Sequence, residues 1–312
     1  MQREKPLFQR KRFLNKQRWI IIYYKKKVQI YNRRAFKFVY VQEKPDNNAE
    51  RKVSSKIKIG LALGGGSARG FAHIGVLKVL EEAGITIDYL SGTSMGALIG
   101  AIYACGANMR MMEKLSRALT RRNWLDFSFP RMGFISGKKI ERIIYLLTRR
   151  STFAELKIPL AIVAVDLHSG KKIIIKEGIV ASAVRASISI PGYFVPVKRG
   201  DMLLVDGGVL DIVPGSVLRS MGAEYIIAVN VNTYRDSCKI NNLLDVISRS
   251  FEIMVKEVGR EKIRDADLVI TPDLSGIAPS QFEKAREAIL IGEKAAREAL
   301  PAIITDLSNL QR

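Results

Sequence analysis

From Ile57 onward the chain alternates short β-branched runs with longer amphipathic stretches, and this alternation restricts it to one fold class. It is the signature of βαβ units, in which parallel strands lie side by side and helices cross over the faces of the sheet. Six runs predict strands, over residues 57–63, 89–91, 160–166, 203–205, 225–231 and 268–271. Helical periodicity falls between them, over 70–83, 95–105, 137–147, 180–187, 243–258 and 281–300. The expectation is a doubly wound α/β sandwich with its site at the carboxyl ends of the strands.

Three glycine-punctuated turns stand at such ends. The first chemistry-bearing one is Gly92-Thr93-Ser94-Met95-Gly96, a G-x-S-x-G sequence between an apolar strand and an apolar helix. A nucleophile elbow needs that context: the turn is so tight that side chains two positions either side of the serine would collide. The Ser94 hydroxyl is then left at a helix amino end, where backbone N–H groups favour developing negative charge. By chance alone the same letters describe a plain tight turn, and only strand before and helix after raise the catalytic reading above it.

Leu63-Gly64-Gly65-Gly66-Ser67-Ala68-Arg69-Gly70 also joins a strand to a helix, and its consecutive glycines let several N–H groups converge on one anion. A nucleotide-phosphate loop is the competing reading, but no Gly-Lys-Ser/Thr ending is present. The dinucleotide fingerprint fails as well, because Gly64 and Gly66 would require glycine at the position of Arg69. An oxyanion hole fits better, with one or two amides from Gly65, Gly66 and Ser67 stabilising a tetrahedral intermediate. Loss of one such donor typically costs about 100- to 1000-fold in rate.

The third turn, Val205-Asp206-Gly207-Gly208, sets an acid at the end of an apolar strand. Asp-Gly is often only a turn signal, yet a serine nucleophile needs a base. The usual α/β-hydrolase order of Ser, acid, His is unavailable, since His168 is the only histidine after Ser94 and it precedes Asp206. A carboxylate acting directly is therefore expected. A free Asp, with pKa about 3.9, is a poor acceptor for a serine proton, so Asp206 has to be tuned by burial or hydrogen bonding. The remaining histidine, His73, sits among apolar neighbours on a predicted helix and reads as a hydrogen-bonded packing residue.

Composition sets the frame around these motifs. The net charge of +21 is uneven: residues 1–58 hold 18 Lys and Arg against 4 Asp and Glu. This places a boundary near residues 45–56 and predicts a basic extension over 1–56, a hydrolase domain over 57–303 and a short tail over 304–312. The extension interleaves bases with aromatics, and its longest apolar run is the six residues from Trp19 to Tyr24. A membrane span needs about 20 and a signal peptide a longer apolar core, so neither is expected. Anionic lipid headgroups would attract such a segment, as would nucleic acid, and a disordered extension with no role of its own competes with both. Two cysteines, Cys105 and Cys238, make no disulfide framework or zinc pattern and fit a reducing compartment. No metal or cofactor is expected, and a cytoplasmic location, peripheral on the inner membrane face if the basic extension binds lipid, is.

The succession GGGSARG, GTSMG and DGG resembles the patatin-like phospholipase family, particularly its bacterial members. Supporting similarities are Ala72-His73-Ile74-Gly75-Val76-Leu77, the segment from Arg185 to Gly192, and the segment from Ala266 to Asp273. The resemblance covers roughly 57–300. It implies a three-layer α/β/α sandwich with a largely parallel central sheet, and a Ser–Asp dyad acting on acyl esters of lipids such as phospholipids. Ser94 would be the nucleophile and Asp206 the proton acceptor. The glycine loop would be the oxyanion hole with Arg69 positioning it, and Gly64, Gly70, Gly92, Gly96, Gly207 and Gly208 would be motif glycines. Many relatives carry glycine where this chain has Ser67. Three rival readings stand beside this one: a soluble esterase, thioesterase or peptidase with the same dyad, a binding protein that keeps the fold, and a nucleic-acid binder driven by the basic extension.

Overall fold

The computed structural model describes the backbone of residues 19–24, 27–32, 38–40, 57–118, 125–126, 132–233 and 240–311. It divides into two units, Met1–Ser54 and Ser55–Arg312. In the first, β1 (Trp19–Tyr24), β2 (Lys27–Asn32) and β3 (Phe38–Tyr40) form an antiparallel sheet in that order. The lipid-surface, nucleic-acid or disordered role expected of residues 1–56 rests on residues and side chains outside the described ones.

The second unit is built on an eight-stranded sheet. β4 (Ile59–Leu63), β5 (Tyr89–Thr93), β7 (Leu160–Asp166), β12 (Tyr225–Val229) and β13 (Leu268–Ile270) run parallel in the order β7-β5-β4-β12-β13. Three further strands complete it: β8 (Lys171–Ile175) and β11 (Met202–Asp206) lie antiparallel on β7, and β10 (Val197–Arg199) pairs antiparallel with β11. A short pair, β6 (Gly133–Ile135) with β9 (Gly192–Phe194), stands apart.

The apolar runs are continuous because the central strands are covered on both faces. Alternate residues go to opposite layers. Ile59, Leu61 and Leu63 of β4 and Tyr225, Ile227 and Val229 of β12 enter one apolar cluster, whereas Ala62, Ile226 and Ala228 enter another. The larger cluster takes in α1 (Ala72–Glu82), α2 (Met95–Ala104), α3 (Met109–Ala118), α4 (Lys138–Leu147), α5 (Val180–Ser187) and α8 (Ala285–Leu310). The smaller is closed by α6 (Gly215–Met221) and α7 (Leu243–Lys262). The result is the expected three-layer α/β/α sandwich.

Two differences from the sequence expectation have physical causes. The last helix runs on through Pro301 to Leu310, across the segment read as a tail, and the Thr305 hydroxyl caps the Pro301 carbonyl at 2.9 Å. The strand carrying Asp206 is antiparallel to β7, because the hairpin β10–β11 returns it against the direction of the βαβ core.

Candidate active site

The meeting of β5 and β11 on one edge of β7 creates the site. β8 occupies one edge of β7 over Ile162–Asp166. The other edge is shared: β5 pairs with Leu160–Val163, ending with Thr93 opposite Val163, and β11 pairs with Ala164–Asp166, ending with Asp206 opposite Ala164. Two strands from opposite directions thus bring their carboxyl ends together at adjacent residues of β7. Ser94 follows one end and Asp206 closes the other.

Ser94 has φ 54° and ψ −122°, a left-handed backbone that costs of order 1–3 kcal/mol and is held by its surroundings. The flanking glycines make the turn possible, each in its own way. A Cβ on Gly92 would lie 2.7 Å from the Ala97 nitrogen, and one on Gly96 would lie 2.0 Å from the Leu63 carbonyl oxygen. The first closeness is the elbow folding on itself; the second is α2 pressed against β4. The Ser94 N–H donates to Ser187 Oγ at 2.9 Å, and Ser187 Oγ donates to the Val163 carbonyl at 2.6 Å, so the elbow is tied to the junction on β7.

Asp206 is 1% exposed and Ser94 6%. Burial pushes the Asp206 carboxyl up to about 7, against the Ser94 hydroxyl and the Gly208 N–H, which both favour the carboxylate. Oδ1 accepts the Gly208 N–H at 2.8 Å. Oδ2 completes no hydrogen bond, and the Ser94 hydroxyl is the side chain that favours its ionised form. An acid of this kind is half ionised near neutrality and has one oxygen open to a proton.

The glycine loop lies against the serine: a Cβ on Gly65 would sit 3.0 Å from Ser94 Cβ. Its amides are not equivalent. The Gly64 N–H donates to the Val229 carbonyl at 3.0 Å and the Gly65 N–H to the Ile212 carbonyl at 2.9 Å, while Asn232 Nδ2 donates to the Gly65 carbonyl at 2.8 Å. Gly66 and Ser67 are half-buried, and their N–H groups carry no hydrogen bond among the described residues. Ser67 has φ 52°, a conformation that favours glycine. Arg69, buried, donates from Nε to the Ile277 carbonyl at 2.7 Å and so binds the loop to the segment before α8.

The other motif glycines mark close packing. A Cβ would fall 2.8 Å from the Val229 oxygen at Gly64, 2.3 Å from Met95 Cγ at Gly70, 2.4 Å from the Val163 oxygen at Gly207 and 2.8 Å from Ile212 Cδ1 at Gly208. His73 is fully buried with Nε2 2.7 Å from the Gly64 carbonyl. Burial lowers it to about 4 despite that carbonyl, so the ring is neutral and Nε2–H is the donor. His168 lies in the exposed turn after β7. Among the described residues no three His, Cys, Asp or Glu side chains form a group able to hold a metal ion.

Several supporting residues escaped the sequence reading. Asn232 is one, and within the segment from Arg185 to Gly192, which the family resemblance sets along the site, the parts played by Ser187 and Arg185 are visible only in the structure. The Arg185 guanidinium donates to the carbonyls of Gly137 at 3.1 Å, Ser136 at 2.8 Å and Val195 at 2.8 Å, and to Ser189 Oγ at 2.5 Å. The Ser189 carbonyl in turn accepts the Asp206 N–H at 2.9 Å. Lys172 pairs with the buried Asp211 at 2.7 Å, and the Asp211 carbonyl accepts the Thr93 hydroxyl at 2.8 Å. The available signal for Asn232 was its place, a polar residue just beyond the carboxyl end of β12.

The family model described as Patatin-like phospholipase matches residues 61–218. An uncharacterized NTE family protein of Mycobacterium tuberculosis is 37% identical over 182 residues, which is 57% of this chain and 50% of that protein. Mouse patatin-like phospholipase domain-containing protein 6 is 36% identical over 203 residues, 57% of this chain but 14% of that one. The chain thus spans half or less of these relatives' length. Among solved structures, VipD from Legionella pneumophila superposes with a TM-score of 0.60 at 14% identity, over 93% of this chain and 71% of VipD, a likeness of fold.

Proposed function

The chain belongs to the patatin-like phospholipase family, and from that premise we propose that it hydrolyses carboxylic esters of lipids through an acyl-enzyme, with Ser94 as nucleophile and Asp206 as its base. The observation that carries this reading is the junction on β7, where a serine in a left-handed elbow abuts a buried carboxyl that burial has raised to about 7.

In the proposed cycle the Ser94 hydroxyl oxygen bonds to the ester carbonyl carbon while its proton passes to Asp206 Oδ2, the oxygen without a partner. The Gly208 N–H holds the other oxygen. The oxyanion is taken by the N–H groups of Gly66 and Ser67; Gly65, whose own N–H is engaged by Ile212, shapes the loop around the serine. Collapse of the intermediate breaks the ester C–O bond, and Asp206 returns its proton to the leaving alcohol. Water then attacks the acyl-serine, Asp206 accepts its proton, and the fatty acid leaves as Ser94 recovers the proton. Arg69 positions the loop in this scheme, and residues 57–303 carry the activity.

Among the described residues no helix is long and apolar enough to cross a membrane. Our reading is of a cytoplasmic enzyme that meets its substrate at a lipid surface. The test is fatty-acid release from mixed phospholipid vesicles by wild-type protein and by Ser94→Ala, with products identified by mass. Release that disappears in the variant is the expected result. Equal release from both would place the activity elsewhere, and hydrolysis of soluble esters or thioesters alone would replace the lipid substrate with a small one.

A further inference from the structure

Helix α7 wears its apolar residues on the wrong side. A surface helix ordinarily turns its apolar stripe inward and its charges to solvent. The inward face of α7 obeys the rule: Val255 is buried with Ile212 and Val213, Phe251 Cζ lies 3.4 Å from where a Gly208 Cβ would stand, and Ile247 approaches Gly192 in the same way at 3.2 Å. Tyr193 Oη donates to the Leu244 carbonyl at 3.0 Å, fastening the start of the helix to β9. The outward crest breaks the rule. It comprises Leu243, Val246, Ser250, Ile253, Met254 and Glu257, and its four large apolar members are between 47% and 65% exposed. Glu257 ends the crest, and the other charged residues stand on the flank, where Arg249 pairs with Glu252 at 3.2 Å. Asp245 is held there too, by Asn242 Nδ2 at 3.0 Å and the Asn241 N–H at 2.9 Å.

The crest is also concentrated. With Ile240, these residues supply five of the fifteen large hydrophobics exposed among the described residues, all within one fifteen-residue stretch. Such a patch marks an interaction site. Its place decides what kind, because the helix that carries it is part of the cover over Asp206-Gly207-Gly208, where Ser94 and Asp206 are almost fully buried. A protein seated on the crest would bury the cover of the site further. A lipid surface there would present acyl chains directly beside the elements that carry Ser94 and Asp206, as the substrate of a lipid hydrolase requires.

We propose that the outer crest of α7 docks on the surface of a lipid aggregate, inserting Leu243, Val246, Ile253 and Met254 among the acyl chains beside the site. The proposal rests on the lipid-hydrolase reading for its meaning, but docking itself does not require turnover. An amphipathic helix lying in the interface buries its apolar side chains to the headgroup boundary while flanking ion pairs stay in water.

The experiment uses the full chain carrying Ser94→Ala, so that binding is read without hydrolysis, and phosphatidylcholine vesicles at high salt, which screens the basic extension. The parent is expected to sediment with the vesicles. Replacing the crest by Leu243→Ser, Val246→Thr, Ile253→Ser and Met254→Gln together should lower the bound fraction at least tenfold. With Ser94 restored, the same four changes should reduce vesicle hydrolysis at least tenfold and leave turnover of a soluble butyrate ester unchanged. Should the soluble ester also be lost, Ile253→Trp alone decides: its added fluorescence is quenched by brominated phosphatidylcholine if the crest inserts. Undiminished sedimentation of the fourfold variant, or an unquenched Ile253→Trp, overturns the proposal. So does a dimer in sedimentation velocity that the fourfold variant converts to monomer, which would give the crest to a second copy. If wild-type protein cleaves no ester at all, the proposed function fails while the binding result still stands or falls by itself.

Discussion

The backbone N–H of Ser94 donates to the hydroxyl of Ser187 at 2.9 Å, and no side chain of the elbow itself supplies that acceptor. Ser187 Oγ also donates to the Val163 carbonyl, so one buried hydroxyl reads the position of both the elbow and β7. Ser187→Ala leaves a buried donor and a buried acceptor unpaired, a change of about 1–3 kcal/mol. We expect kcat to fall roughly 5- to 100-fold with KM little altered, since the elbow rather than the acyl pocket is loosened. Ser187→Thr, which keeps the hydroxyl, should recover most of the loss in the same steady-state assay.

Asp206 must be ionised to accept the serine proton, and burial holds it near 7. The pH profile of kcat/KM should rise through an apparent pKa of about 7 and level above it. Stability runs the other way. Because the folded carboxyl ionises above the unfolded one, the unfolded chain gives up its proton first as pH rises, and stability falls between about pH 4 and pH 7. Asp206→Asn removes that effect. The variant should lose at least about 1000-fold in activity, and its thermal midpoint should exceed that of wild type by more at pH 8 than at pH 4, by an upper bound of about 4 kcal/mol in free energy. A wild-type acid limb near 4 would remove Asp206 from the role of base.

Ser67 offers a cleaner separation of backbone from side chain. Its φ of 52° is a conformation glycine adopts without penalty. Ser67→Gly should therefore stabilise the folded state by up to about 1 kcal/mol, read as a shift in the denaturant midpoint. If the N–H group is what the loop supplies to the oxyanion, activity is retained. A drop beyond tenfold would assign the hydroxyl a part.

Arg185 gathers three carbonyls and one hydroxyl from separate elements through a planar guanidinium. Lysine has one ammonium in place of that fork. Arg185→Lys should destabilise by about 2–4 kcal/mol, as loss of a buried charged network does, and should lower activity through Ser189, whose carbonyl holds the Asp206 N–H. Thermal denaturation with a matched activity assay measures both.

The parallel core was legible because burial on both faces forces continuous apolar runs, and those of β4, β7 and β12 are unmistakable. Ser94, Asp206 and the glycine loop were legible because each closes such a run with residues that only a tight turn requires. Other parts carried weaker marks. β8 reads as two lysines and three isoleucines, a run too short and too exposed to announce an edge strand, and α6 follows Pro214 with only seven residues. Which amides of the loop are open could not be read from glycines alone, since the acceptor that occupies the Gly65 N–H comes from Ile212, far along the chain. The crest of α7 was visible as apolar letters in a helical pattern, but periodicity gives no indication of which of two apolar stripes faces the core.

The shared edge of β7 makes the site unusually sensitive to strand alignment. Thr93 and Asp206 stand opposite neighbouring residues, Val163 and Ala164, so their spacing is fixed by a single peptide unit of a third strand. Side chains alternate across a sheet, and a slip of β11 by one residue would turn Asp206 to the opposite face. The backbone ladder would re-form after such a slip, but Leu204 and Val205 would exchange faces and Asp206 would leave Ser94, giving an inert protein. Changes at Asp201 in the β10–β11 hairpin are thus a route to inactive molecules through altered register, whereas at Gly200, with φ 60°, any side chain adds backbone strain as well.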